Sequence, residues 1–183
     1  MDSYNEIGNE GANEINFTGS STFFQINGIY TLFQNSIIIK NNYINLTITS
    51  GNTALGGIII INGAANINLS NLLVCNNNIL FQNTSLTSIS ARGIDLFNAD
   101  FDSIHIFNNE IKSTLTSNFS SFYGIWSNTE NNIFLSIHEN SINNISNNGF
   151  WGIAFAFSDT VGANVYISKN LIHDIESFPN IHF

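Results

Sequence analysis

Three features of the sequence predict an all-β fold, a right-handed parallel β-helix (solenoid) of about five coils with three short strands in each coil. The first is a phrase that occurs five times, in which two aliphatic residues separated by one position precede a short polar pair and Asn-x-aliphatic. The second is a Gly-Ile pair ahead of each copy. The third is the alternation of apolar and polar residues within the phrases, which indicates strands rather than helices.

The repeated phrase places Asn at nearly constant intervals. The copies span residues 37–44, 73–80, 104–111, 135–142 and 165–172, and their Asn residues are Asn42, Asn78, Asn109, Asn140 and Asn170. Their spacing of 36, 31, 31 and 30 residues fits one coil for each repeat. Because Asn tolerates a left-handed backbone better than other non-glycine residues, we expect these five residues at a sharp bend, stacked as a ladder of amides.

The same alignment predicts the core as three inward columns. The first is Ile37, Leu73, Ile104, Leu135 and Val165, the second is Ile39, Cys75, Ile106, Ile137 and Ile167, and the third is Ile44, Leu80, Ile111, Ile142 and Ile172. All of these positions are apolar in a chain that contains 33 Asn. The columns are therefore expected to be buried, with Cys75 as an inert thiol among aliphatic side chains.

The length of 183 residues fits one domain. Residues 1–16 carry Asp2, Glu6, Glu10 and Glu14 and are interpreted as an acidic N-terminal segment and candidate partial cap. Residues 17–183 are assigned to the parallel β-helix. Because the last residues are rich in apolar side chains and offer no cap, we expect a fragment of a longer protein, with further coils or domains at the open ends.

The composition excludes several classes of partner. Four Lys+Arg against 13 Asp+Glu give a net charge of −9, too few basic groups to follow a nucleic-acid backbone. The aliphatic run at residues 58–61 is far shorter than the roughly 20 residues of a membrane span, so no membrane insertion is expected. A single Cys excludes a disulfide framework, and the four His lack ligand spacing, so no metal site is predicted.

The Gly-Ile strand followed by Asn-x-Ile resembles the repeats of right-handed parallel β-helix proteins of the pectate-lyase-like superfamily, over residues 24–176. The resemblance is to Asn- and Ile-rich regions of secreted or cell-surface bacterial proteins. It implies an extracellular or cell-surface location, with an export signal outside this segment. The expected function is a non-catalytic module that acts as a rigid scaffold, an adhesin or a glycan-contacting surface.

Enzymes of that superfamily generally work on the outer face of the first strand, which directs attention to the residues two positions after each Gly. These outward residues are Tyr30, Ile59, Asp95, Trp126 and Ala154. Asp95 and Trp126 are expected on adjacent coils, where a carboxylate beside an aromatic ring would suit a sugar, with Tyr30 in the same row. Trp126 and Trp151 are a candidate carbohydrate platform.

Charged residues concentrate only at Arg92, Asp95, Asp100 and Asp102, and three interpretations remain open. Two of the carboxylates could flank a glycosidic bond as in a glycoside hydrolase. In a polysaccharide lyase they could hold Ca²⁺ as the cofactor, while a basic residue removes a proton. The third interpretation is a surface ion pair with turn-forming Asp residues, and the fold alone does not decide among them.

Overall fold

The computed structural model describes residues 5–8, 12–21, 25–32, 36–51, 54–61, 71–85, 87–98, 101–114, 119–129, 134–157 and 164–182. These residues form sixteen β-strands. They are β1 (Asn5–Ile7), β2 (Asn13–Ser21), β3 (Gln25–Leu32), β4 (Ile37–Lys40), β5 (Asn42–Gly51), β6 (Ala54–Ile61), β7 (Asn71–Cys75), β8 (Asn78–Asn83), β9 (Ile89–Phe97), β10 (Ser103–Phe107), β11 (Glu110–Ser113), β12 (Phe119–Thr129), β13 (Phe134–His138), β14 (Ser141–Phe157), β15 (Asn164–Ser168) and β16 (Leu171–His182).

The strands form three parallel sheets that the chain visits in turn. Sheet 1 has the order β1-β4-β7-β10-β13-β15, sheet 2 runs β2-β5-β8-β11, and sheet 3 runs β3-β6-β9-β12. The long strand β14 joins sheets 2 and 3, because its first residues pair with β11 and its later residues pair with β12. β16 pairs along β14. The prediction of an all-β parallel β-solenoid with three strands per turn is confirmed.

The first strands lie within the segment that was interpreted as a separate acidic region. β1 pairs with β4 in sheet 1 and β2 pairs with β5 in sheet 2, so the predicted boundary at residue 17 falls inside β2. Glu6 of β1 forms an ion pair of 2.8 Å with Lys40 of β4. Within the described ranges, no helix is long and apolar enough to cross a membrane.

The inward columns follow the predicted alignment in four of the five copies and differ by one residue in the second. The prediction that the columns are buried is wrong for the fifth copy, because Val165 and Ile167 are 37% and 48% exposed on β15, the last strand of sheet 1. The register of sheet 1 places Leu72 and Val74 in the columns where Leu73 and Cys75 were expected, and sheet 2 places Ile79 where Leu80 was expected. Cys75 instead pairs with Lys40 and Phe107. It is still buried, and burial raises the pKa of its thiol.

The physical reason for this correction is the conformation at the bend between sheets 1 and 2. Asn76 has a φ of 56°, in the left-handed region, as do the equivalent Asn41, Asn108, Glu139 and Lys169. The left-handed residue therefore precedes the ladder Asn, contrary to the expectation that the ladder residue itself adopts this conformation. Since Asn76 occupies that position, the ladder in the second copy passes through Asn77 and not through Asn78.

The ladder consists of side-chain amides that bond from each coil to the next, and all of them except the last, Asn170, are buried. It contains Asn42, Asn77, Asn109, Asn140 and Asn170. The Oδ1 atom of Asn109, for example, accepts the backbone N–H of Asn77 at 3.1 Å and its Nδ2 at 2.9 Å. The Nδ2 atom of Asn109 donates to the Val74 carbonyl at 2.9 Å and to Oδ1 of Asn140 at 2.9 Å. Each amide thus satisfies buried backbone groups that the bend removes from the sheets.

A column of glycines near the start of the sheet 3 strands is a second repeated feature that supports the fold. A Cβ on Gly93 would lie 2.7 Å from Cγ2 of Ile111 and close to the carbonyl oxygen of Gly124. Gly28, Gly57, Gly124 and Gly152 face the corresponding Ile side chains of sheet 2 in the same way. The Gly of each Gly-Ile pair therefore permits the close approach of sheet 3 to the Ile column of sheet 2.

We expect Asn109→Ala to lower the free energy of unfolding by about 2–4 kcal/mol, because it leaves buried groups such as the Asn77 N–H without a partner. The matched control is Asn78→Ala, whose half-buried side chain donates to Glu110 Oε2 and should cost about 1 kcal/mol or less. Chemical denaturation measures both values. Equal losses in the two variants would contradict the assigned ladder.

Gly93→Ala is expected to destabilise the protein by about 1–3 kcal/mol, because the added methyl group must displace Ile111 or the backbone of Gly124. Gly19→Ala is the control, since the nearest atom to its added Cβ is Cζ of Phe17 at 3.8 Å. The control should change the free energy of unfolding by no more than about 0.5 kcal/mol. A neutral Gly93→Ala variant would show that sheets 2 and 3 do not need this close approach.

Candidate functional site

The outer face of sheet 3 carries the row of residues that was predicted from the Gly-Ile pairs. Tyr30 pairs with Ile59, Ile59 with Asp95, Asp95 with Trp126, and Trp126 with Ala154. Asp95 and Trp126 therefore lie on adjacent strands, about 4.8 Å apart along the axis. Tyr30 is half exposed and lies two strands from Asp95, so it does not join the same local cluster.

Arg92 and Asp95 share this outer face because the alternation of β9 is interrupted at Gly93. Ala91 and Ile94 both belong to the core, although three positions separate them. Arg92 directly follows Ala91 and Asp95 directly follows Ile94, so both side chains point outward and come within contact distance. The guanidinium Nη1 of Arg92 lies 2.6 Å from Oδ2 of Asp95. The Gly that lets sheet 3 approach sheet 2 thus also assembles the ion pair.

The two members of this ion pair differ sharply in exposure. The Asp95 side chain is 3% exposed, whereas that of Arg92 is 42% exposed. Oδ1 of Asp95 has no hydrogen-bond partner among the described residues. Burial raises the pKa of Asp95, and the hydrogen bond and charge of Arg92 oppose this effect without cancelling it. We attribute this balance to the exposure of Arg92, since water screens its charge, and to the single partnered oxygen of the carboxylate.

Three aromatic side chains complete the cluster. The rings of Tyr123 and Trp151 stack with centroids 4.5 Å apart and an interplanar angle of 6°. The ring of Trp126 contacts Tyr123 edge-on at 5.4 Å, and Cζ of Arg92 lies 5.6 Å from the Tyr123 centroid. We call Arg92, Asp95, Tyr123, Trp126 and Trp151 the aromatic cluster. It combines flat apolar surfaces with a partly exposed cation, whose guanidinium bonds to Asp95 and lies over the Tyr123 ring.

Tyr123 was not predicted as a site residue, although the sequence contains a signal for it. Arg92, Tyr123 and Trp151 each precede the Gly of a Gly-Ile pair, and the sheet register aligns them in one row. The sequence prediction compared the coils only along the row two positions after each Gly, which contains Asp95 and Trp126. It named Arg92 and Trp151 on other grounds and missed that they share a row in which Tyr123 lies between them.

The remaining acidic candidates do not join the cluster. Asp100 lies outside the described residues. Asp102 is exposed, and its backbone carbonyl accepts the N–H of Phe134 at the start of sheet 1. Within the part of the chain that the structure describes, no group of three or more His, Cys, Asp or Glu residues could hold a metal ion. The functional groups of the aromatic cluster are therefore its rings and the guanidinium, which can stack against a flat ligand and donate hydrogen bonds from Arg92.

Comparison with known proteins identifies no relative of this chain. No protein-family description, no curated protein and no solved structure matches it.

The raised pKa of Asp95 predicts how Asp95→Asn depends on pH. The neutral carboxyl stabilises the folded state below the ordinary Asp pKa of 3.8, and this contribution is lost as the pH rises through the raised pKa of the folded state. Asn stays neutral throughout. The melting temperature of the variant, relative to that of the unmutated protein, should therefore rise as the pH increases from acid toward neutrality.

Asp102→Asn is the matched control, because it removes one carboxylate from an exposed position and thus accounts for the change in net charge. Thermal unfolding followed by circular dichroism measures both differences. If the Asp95→Asn variant instead loses stability with rising pH, the ion pair with Arg92 outweighs the cost of burial.

Proposed function

We propose that this chain is a non-catalytic β-helix module of an extracellular or cell-surface protein, in which the outer face of sheet 3 contacts glycans. The observation that carries the proposal is the aromatic cluster, where Tyr123 holds Trp126, Trp151 and Arg92 around one ring. Sites for small ligands combine apolar and aromatic walls with a few fixed polar groups, and this cluster has that composition.

The scaffold part of the proposal rests on the repeated supports inside the coils. The amide ladder links each coil to the next, and the inward Ile and Leu columns are fully buried along most of the solenoid. Each coil therefore fixes the position of its neighbours, as in other solenoids. Outer residues on consecutive strands gain a regular spacing, which suits an extended polymer that lies along the axis.

A glycan is favoured over other ligands because of the charge distribution. The only cation of the aromatic cluster is already paired with Asp95, so the cluster carries no net charge. The chain as a whole has a net charge of −9, which disfavours nucleic acid and anionic membranes. A neutral sugar needs no charge attraction to the protein, since its apolar ring faces can stack and its hydroxyl groups can accept hydrogen bonds from Arg92.

We further infer a right-handed winding and membership of the pectate-lyase-like superfamily, of the Asn- and Ile-rich type found in secreted or surface proteins of bacteria. The support is the Gly-Ile strand, the amide ladder and the three parallel sheets. An extracellular or cell-surface location follows from the same proposal.

A second candidate function is a polysaccharide lyase or glycoside hydrolase, and the burial of Asp95 is the observation that favours it. A carboxyl whose pKa is raised can act as a general acid. The partner carboxylate would have to come from outside the aromatic cluster, and Ca²⁺ enters only in the lyase version. The test is cleavage of uronate or neutral oligosaccharides by the unmutated protein. If the unmutated protein cleaves them and the Asp95→Asn variant does not, the chain is an enzyme and the non-catalytic scaffold is refuted.

Trp126→Ala and Trp151→Ala should each weaken binding of a hexasaccharide by about tenfold, which corresponds to about 1.4 kcal/mol of lost stacking and burial. Titration calorimetry with cellohexaose, xylohexaose and hexagalacturonate measures the affinities. These two residues are the only Trp of the chain, so quenching of their fluorescence reports the same site.

Tyr43→Ala provides the control, because Tyr43 is a half-buried aromatic residue whose strand belongs to sheet 2. The affinity of the Tyr43→Ala variant for the hexasaccharides should equal that of the unmutated protein. Absence of heat and of fluorescence change with all three saccharides would refute glycan contact at this face.

A further inference from the structure

A groove on the outer face of sheet 1 forms a second candidate site, on a different sheet from the aromatic cluster. Its volume is about 460 Å³. Its outward-facing lining comes from three neighbouring strands of sheet 1 and from Ser36, which directly precedes β4; the strand residues are Ile38, Asn71, Leu73, Ser103 and His105. The volume falls in the range of sites that hold small ligands, roughly 300–1,000 Å³.

The sheet register explains why these side chains line one groove. Ile38, Leu73 and His105 form one row, and Asn71 and Ser103 form a second row beside it. Successive members of a row are one strand spacing apart, about 4.8 Å. The groove therefore runs along the solenoid axis, with an aliphatic floor at Ile38 and Leu73 and a polar rim at Asn71 and Ser103.

The polar rim is preorganised. Oγ of Ser103 donates a hydrogen bond to Oδ1 of Asn71 at 2.5 Å, which fixes the amide plane of Asn71. The side-chain Nδ2 of Asn71, on an exposed residue, is then directed away from this bond as a donor. A ligand in the groove would meet an oriented amide donor over an apolar floor.

Aromatic rings extend the groove toward later strands of sheet 1. The imidazole of His105 lies 5.4 Å from the ring of Phe134, and Phe134 lies 5.3 Å from Tyr166. Phe134 is 37% exposed and Tyr166 is 58% exposed. These rings offer flat apolar surface to solvent immediately beyond the polar rim.

The scarcity of charged side chains at the groove restricts the charge of the ligand that it can bind. Among the described residues that line the groove there is no Asp, Glu, Lys or Arg. The nearest charged residue in the rows is Glu6, which pairs with Ile38 in register and is neutralised by Lys40 at 2.8 Å. An anionic or cationic ligand would lose its hydration here without gaining a counter-charge.

We infer that this groove binds an extended, uncharged oligosaccharide that lies parallel to the solenoid axis. Sugar rings pack on Ile38, Leu73 and Phe134, and sugar hydroxyl groups bond to Asn71 and Ser103. The inference stands on sheet 1 alone and does not depend on glycan contact by the aromatic cluster on sheet 3.

The two faces carry different reporters, so one titration separates them. The imidazole resonances of His105, assigned with a His105→Gln variant, report the groove, whereas the indole resonances of Trp126 and Trp151 report the aromatic cluster. Cellohexaose, xylohexaose, mannohexaose and hexagalacturonate are titrated to millimolar concentration. We expect at least one neutral saccharide, and not hexagalacturonate, to shift the His105 resonances in a saturable manner.

Two variants test the assigned contacts. Phe134→Ala should weaken the binding seen at His105 by about tenfold, and Asn71→Ala, at an exposed position, by about threefold to tenfold. Leu171→Ala is the control, because it removes an apolar side chain that is 57% exposed on sheet 2. It should leave the affinity unchanged.

Three results would overturn the inference. They are an unchanged His105 signal with every neutral saccharide, stronger binding of hexagalacturonate than of the neutral saccharides, and unchanged affinity in both Phe134→Ala and Asn71→Ala. The first of these results, when it is accompanied by shifts of the indole resonances, would leave the proposed function of sheet 3 intact.

Discussion

The buried amide ladder is the interaction on which the rest of the structure depends. At the bend between sheets 1 and 2, backbone groups leave the regular sheet pairing and would be buried without partners. Asn77 and Asn109 satisfy them, since each side chain accepts a backbone N–H from the preceding coil and donates to a backbone carbonyl of that same coil. Each side chain also donates to the amide oxygen of the ladder Asn in the next coil. Because this exchange requires one Asn directly above the next, it fixes the register of consecutive coils. The inward columns and the outward rows follow from that register.

The glycine column couples the interior of the solenoid to its surface. Gly93 must lack a side chain because Ile111 and the Gly124 carbonyl occupy the space a Cβ would need. The same bend breaks the alternation of β9 and leaves Arg92 and Asp95 on one face, in contact. A requirement of core packing thus creates the only short ion pair of sheet 3 among the described residues, and the equivalent bend places Tyr123 and Trp126 beside it.

Sequence reasoning recovered the architecture because repetition makes many weak signals agree. The predicted register is wrong in the second copy because Leu72, Leu73, Val74 and Cys75 are all apolar, so alternation does not show which of them face inward. The three consecutive residues Asn76, Asn77 and Asn78 are likewise compatible with either register. The left-handed conformation of Asn76 decides between them, and no side-chain pattern reveals it. At the surface, alternation predicted Asp95 and Trp126 correctly as neighbours. It could not predict that Asp95 is buried, because burial of an outward residue depends on the size of the side chains on adjacent coils.

The outer faces that carry aromatic rings are close to electrically neutral, although the chain has a net charge of −9. On sheet 3 the charge of Arg92 is balanced by Asp95, and on sheet 1 that of Lys40 is balanced by Glu6. Long-range attraction therefore contributes little at either face, and ionic strength should have a correspondingly small influence on binding there. Recognition on such surfaces must come from shape, stacking and a few oriented hydrogen bonds. A rigid solenoid suits this mode, because the pairing of consecutive strands fixes the spacing of the outward rings before a ligand binds.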